Sequence, residues 1–280
     1  MPIALLLLAA ALAGTVLLGP LGFGVLHWRV STIGLNQTYG ADGASLFVTV
    51  PVAIAAAVLW WRQNRVAPPL GLGVGIAALY YAIASVMGPD YVRYPGNNER
   101  FFPLLLALIV VSWMVAARAW AELDPVPPAP AIWLRRGLSV VLLLGGAALG
   151  FAWLRQLLEL SFNGTFGTAA DGIAYADAPS GFWIVRVVDL GFIVPMSIAT
   201  GFGLLRGNAT ALKAAYGVTA FLVLQATSVL AMGTIMILRQ DPTATPTLLV
   251  ALAPISLGLA ILTAMLYASA SRQPRISPST

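Results

Sequence analysis

The chain has 280 residues, 59% of them hydrophobic and only 9% charged, with a formal net charge of +5 and a mean hydropathy of +0.88. Soluble domains carry roughly 25% charged residues, and so apolar a chain in water would expose large aggregating patches, so lipid is the expected solvent and disorder is excluded. There is no cysteine and a single histidine, His27, which excludes disulfides, thiol catalysis, cysteine-held metal sites and paired-histidine haem ligation within this chain.

The positive charge does not indicate nucleic acid as a partner. Basic residues are scattered singly at the ends of apolar runs, and no basic stripe or recognition motif is present. No cofactor is expected. The lipid bilayer is the expected partner, and contact with other membrane subunits stays open.

A hydrocarbon core of about 30 Å takes roughly 20 apolar residues in helix. Eight segments qualify, at about 3–27, 44–61, 69–87, 101–120, 137–155, 181–205, 212–237 and 247–269. Lipid admits only helices and closed barrels as spanning forms. These runs are too long and too continuously apolar for barrel strands. The expected fold class is therefore all-α, an integral membrane bundle of about eight transmembrane helices.

The first segment, "PIALLLLAAALAGTVLLGPLGFGVL", contains "ALA" at 11–13 but lacks a basic leader, so a retained helix is expected rather than a cleaved signal. His27, beside Trp28, reads as an interfacial polar group, with proton handling as the alternative. The stretch "RVSTIGLNQTYGADG" (29–43) reads as an outer loop. The second segment carries Pro51 and ends at Arg62. The third opens with "GLGVG" (71–75), half of a dinucleotide fingerprint. No strand precedes it and no acid follows, so its small residues read as a helix-packing surface. Tyr80, Tyr81 and Ser85 lie deeper in the same segment.

"ELDPVPPAPAIWLRR" (122–136) is a stiff Pro-rich connector that divides the chain into units 1–121 and 137–280. After the fifth segment, "ELSFNGTFGTAADGIAYADAPSG" (159–181) reads as a second outer loop. "YGADG" (39–43) and "YADAPSG" (175–181) are either turns or parts of an outer binding surface. The asparagine sequons are uninformative, since the Arg-over-Lys, Ala-rich composition has a bacterial look.

Loop Lys and Arg set orientation. Nine lie on the N-terminal side (Arg62, Arg65, Arg118, Arg135, Arg136, Arg206, Lys213, Arg272, Arg275) and five on the other (Arg29, Arg93, Arg100, Arg155, Arg239). Both termini are expected in the cytoplasm, with the protein in a bacterial inner membrane.

The midpoint connector invites a search for internal symmetry. Pro51 and Pro195 each lie eleven residues before an arginine, at an offset of 144. "ASV" (84–86) matches "TSV" (227–229), and "PLLLAL" (103–108) matches "PTLLVAL" (246–252), both at an offset of 143. A parallel 4+4 tandem repeat is expected, against chance likeness among Leu-rich helices. Four spans per unit would insert both halves in one orientation.

The sixth segment, "FWIVRVVDLGFIVPMSIATGFGLLR" (182–206), carries the chemistry. Asp189 lies about eight residues into it, roughly 12 Å deep at 1.5 Å per residue. A charge near a helix centre costs roughly 2.5–3.5 kcal/mol on insertion scales. Arg186 is placed at i, i+3 on the same face, close enough to pair, and can also snorkel outward. Thr200 continues that stripe. Gln225 and Ser228 on the seventh segment and Tyr81 on the third add polar groups at depth. Asp189, Arg186, Thr200, Gln225, Ser228 and Tyr81 are thus the candidate substrate or ion path. The other reading is a structural ion pair that orients the helix. No catalytic or metal residues are assigned, because no nucleophile–base set, HExxH or Walker motif is present.

The motifs "YGADGASLFVTVP" (39–51) and "VVDLGFIVP" (187–195) resemble a group of uncharacterised bacterial multi-pass membrane proteins. Their helices open with similar "YGxD…P" and "LDLG…P" patterns; here Val188 stands first in the second element. The resemblance implies an inner-membrane location and no particular activity.

The leading functional expectation is a permease-like or sensor-like protein handling a small solute or ion through the interior site. The competing one is a non-catalytic accessory or assembly subunit of a larger membrane complex. An enzyme is the least supported of the three.

Overall fold

A computed structural model describes residues 1–123 and 129–271. The heart of the Pro-rich connector (124–128), with Arg272 and Arg275, lies outside the described residues. The described chain forms nine helices and no strand. They are α1 (Pro2–Leu18), α2 (Thr32–Trp61), α3 (Ala67–Met87), α4 (Asn98–Glu122), α5 (Ile132–Asn163), α6 (Ala169–Asp177), α7 (Pro179–Leu205), α8 (Ala209–Leu238) and α9 (Pro246–Ser271). Seven of them are long and apolar enough to cross a membrane, and α1 is a shorter apolar helix.

The first expected span runs short. Pro20 has no N–H and its ring clashes with the carbonyl four residues back, which ends the helix. Gly19 is already extended, with ψ −170°, as the residue before a proline prefers. The Gly19 N–H closes the helix onto the carbonyls of Thr15 and Val16, both at 3.1 Å. The chain then folds back, with the Leu18 carbonyl accepting from the N–H groups of Val25 and Leu26.

The expected outer loop 29–43 is corrected: most of it is the first part of α2. Ser31 caps that helix by accepting from the Gly34 N–H at 3.0 Å. Its glycines and polar residues hid it from hydropathy, yet they suit a helix packed tightly on α8. A β-carbon on Gly40 would sit 2.3 Å from the Met232 Cα, so only glycine allows this approach. "YGADG" is therefore helical. The second expected loop is also shorter than 159–181. α5 continues to Asn163 and stops at Gly164, whose φ of +66° is the left-handed form glycine tolerates. Thr168 then caps α6.

α2 and α7 each contain one widened π turn, Ser45–Thr49 and Asp189–Ile193. In both, the N–H of the residue before the proline reaches five residues back, Val50 to Ser45 and Val194 to Asp189. Pro51 and Pro195 cannot donate, which leaves a carbonyl free one turn earlier. A twelve-residue α-helix follows each bulge, Val50–Trp61 and Val194–Leu205.

α1 packs on α2 and α4, α2 on α3, and α3 on α4. α5 packs on α7 and α9, α7 on α8, and α8 on α9. These two four-helix rings join through α3 against α8, flanked by α2 against α8 and α3 against α7. One apolar core gathers Leu5, Leu8, Leu12, Ala53, Val74, Ala78 and Leu108; another gathers Leu138, Leu142, Leu204, Ala215, Tyr216 and Leu266. Phe47, Leu144, Phe151, Phe192 and Leu257 point outward and stay exposed. Such residues belong against lipid tails rather than water.

The end of the bundle where α3 stops and α4 begins is knit by polar contacts. Arg29 pairs with Glu99 at 2.6 Å. The Tyr94 hydroxyl donates to the Asp177 carbonyl at 2.9 Å, and Ser31 donates to the Asp177 carboxylate.

Candidate functional site

Asp189 opens the π turn of α7 and is 6% exposed. One carboxylate oxygen accepts from the Trp153 indole N–H at 2.8 Å, and the other from the Tyr80 hydroxyl at 3.2 Å. Trp153 comes from α5 and Tyr80 from α3, so the carboxylate ties three helices together. Both donors are neutral.

Arg186 makes no direct salt bridge with Asp189. Its guanidinium donates to the Gln156 side-chain carbonyl at 2.6 Å. It lies over the rings of Phe182 and Trp153, at 3.8 and 4.1 Å from their centroids. Gln156 in turn donates to Asp171 at 2.9 Å. The long side chain runs back toward the start of its helix, the favoured direction on an α-helix, and so snorkels outward. Trp153 stands at the junction, with its N–H on Asp189 and its ring face on Arg186. Cation–π contact of this kind is worth about 0.5–2 kcal/mol, more when desolvated.

The other sequence candidates are distributed differently. Tyr81 donates to Asp42 at 2.6 Å, while its neighbour Tyr80 serves Asp189. Thr200 is buried but lies eleven residues beyond Asp189, ~16 Å along the helix. Gln225 and Ser228 are half-buried on α8 and are not hydrogen-bond partners of Asp189. The side chains gathered around Asp189 are therefore Tyr80 and Trp153, with Arg186 and Gln156 beyond the indole.

Sequence reasoning missed Trp153 and Gln156. Trp153 lies two residues before the end of the fifth expected segment at 155, a position where tryptophan reads as an interfacial anchor. Asp42 was assigned to an outer loop. The consecutive Tyr80 and Tyr81 at mid-helix were the available signal, since buried tyrosine hydroxyls need acceptors.

Among the described residues, no three His, Asp or Glu side chains converge as a metal site would require. A cavity of about 460 Å³ lies where α3 ends and α4 begins, lined by Val86, Met87, Tyr91, Glu99 and Phe102. It does not include Asp189.

The long apolar helices, their exposed aliphatic surfaces and the buried polar interior define a multi-pass integral membrane protein. No protein-family model matches the chain, and no curated protein or solved structure matches it.

Proposed function

We propose that this protein handles a small solute or ion, as a permease or a sensor, through the interior polar site around Asp189. The observation that carries this reading is the carboxylate itself. It sits within the span, buried, at a π turn, with only neutral donors on its oxygens. Ionisable groups inside membranes are costly and belong to pathways and relays. π turns within α-helices are frequent at functional positions. A core built only for stability has a cheaper option in apolar packing.

The same reading places the protein in a bacterial inner membrane with both termini cytoplasmic, as the Lys/Arg bias supports. It also treats 1–121 and 137–280 as parallel repeats. The matching ring of contacts in the two halves supports this, as do π turns one offset of 144 apart (Ser45 to Asp189).

The test is a thermal-melting screen of the purified protein in lipid nanodiscs. The panel contains monovalent and divalent cations, small carboxylates, amino acids and sugars. At least one class should raise the melting temperature of the wild type and leave Asp189→Asn unmoved. If no class separates the two proteins, and the chain instead co-purifies stoichiometrically with another membrane protein, the accessory-subunit reading replaces this one.

A further inference from the structure

We propose that Asp42 is a proton-binding site that locks the end of α1 onto α2. The site stands apart from Asp189 and does not depend on the solute reading.

Asp42 is wholly buried in α2, at 0% exposure. One of its oxygens accepts from the Tyr81 hydroxyl at 2.6 Å. The other has no hydrogen-bond partner and no solvent contact. That free oxygen faces the broken end of α1. A point one bond from the Gly19 Cα lies 3.5 Å from it, 3.2 Å from the Val16 carbonyl oxygen and 3.4 Å from that of Thr15. The orphaned Asp42 oxygen and the two α1 carbonyls thus border the same small space beside Gly19, and the Gly19 N–H there already bonds both carbonyls.

A carboxylate anion is doubly disfavoured there. It has lost its water, and it faces the negative end of a helix dipole. α1, α3 and α8 pack on α2, and none brings a compensating cation to this carboxylate. α1 contains no charged side chain. α3 contributes only Tyr80 and Tyr81 as titratable groups. The only charge within α8 is Lys213, near its opposite end. Arg239, just past α8, is stacked over Tyr39 at 4.1 Å. On α2 itself Tyr39 is the remaining titratable group. A proton resolves the conflict. The carbonyl-type oxygen accepts from Tyr81, and the O–H becomes a donor toward the α1 carbonyls. A metal cation fits less well. No second carboxylate is present, and the Thr15 hydroxyl is committed to the Ala11 carbonyl at 2.9 Å.

The test is infrared difference spectroscopy of the full-length protein in nanodiscs at neutral pH, in H₂O and D₂O. A protonated carboxyl C=O band that shifts in D₂O is expected. It should be lost in Asp42→Asn, retained in Asp189→Asn and moved to higher frequency in Tyr81→Phe, which removes the donor to the carbonyl oxygen. Asp42→Asn should melt close to wild type, because an amide supplies the same acceptor and a donor. If Asp42→Asn proves unstable, the Tyr81→Phe shift decides alone. A full set of bands in Asp42→Asn, or no shift in Tyr81→Phe, overturns the proposal. So does a melting temperature that rises in NaCl over choline chloride in wild type but not in Asp42→Asn, since that would make the site a sodium site.

Discussion

The Trp153 indole N–H donates to the Asp189 carboxylate at 2.8 Å, and the same ring carries the Arg186 guanidinium on its face at 4.1 Å. The two opposite charges of α7 thus communicate through a side chain of α5. Hydrogen bonds to charged groups contribute about 1.5–3 kcal/mol. Trp153→Phe, which keeps a ring and removes the donor, should cost about that much. Double-mutant cycles in detergent should show stronger coupling between Trp153 and Asp189 than between Arg186 and Asp189. Equal or reversed coupling would mean that the direct electrostatic pair dominates.

Gly40 marks the closest approach of α2 to α8. Its substitution by alanine places a β-carbon 2.3 Å from the Met232 backbone. Overpacking of this kind costs typically 1–3 kcal/mol, and here the clash is with a helix backbone that has no rotamer to change. Gly40→Ala should lower the melting temperature clearly, whereas Gly43→Ala, with open space around it, should not. A Gly40→Ala protein as stable as wild type would refute the tight crossing.

Asp241 should give the fold a pH dependence. It lies in the turn between α8 and α9. Burial raises its pKa, but hydrogen bonds from the Asn36 amide and from the Thr243 hydroxyl and N–H outweigh burial and hold the carboxyl below its ordinary range. A depressed carboxyl stabilises the fold above its unfolded value, and that contribution is lost as pH falls through the folded value. Melting temperature should therefore fall on acidification below about pH 4, the ordinary Asp range. The fall should be shallower in Asp241→Asn. Parallel acid profiles for the two proteins would show that this carboxylate carries no such linkage.

The absence of cysteine makes topology directly measurable. Single cysteines at Asn64 and Thr280 should react only with membrane-permeant thiol reagents in intact cells. Cysteines at Asn97 and Thr168 should react with impermeant ones. Labelling of Thr280→Cys from outside sinks the both-termini-in orientation.

The apolar runs between turn signals were legible as helices because a polypeptide in lipid must satisfy its own backbone, and helix is the local way to do so. The prolines that mark the two interruptions were visible in the sequence, although the π turns themselves were not. Pro51 and Pro195 cannot donate, and each lies just beyond a π turn. The amino-terminal half of α2 was not legible, because Gly34, Gly40 and Gly43 lower local helix propensity; the contact of α2 with α8 is visible only once both helices are placed.

The candidate site divides in the same way. Hydropathy and helical period singled out Asp189 and Arg186 on one face, since both are local properties of a single segment. Their partners came from other helices: Trp153 and Gln156 from α5, Tyr80 from α3. Period says which residues share a face of one helix, not which helix that face will meet. Sequence alone thus determined a membrane-embedded all-α chain with a costly charge in its sixth apolar segment. Tertiary packing decided that an indole and a tyrosine, rather than the neighbouring arginine, contact that carboxylate. A long guanidinium reaches the polar edge of the membrane more cheaply than it stays at depth.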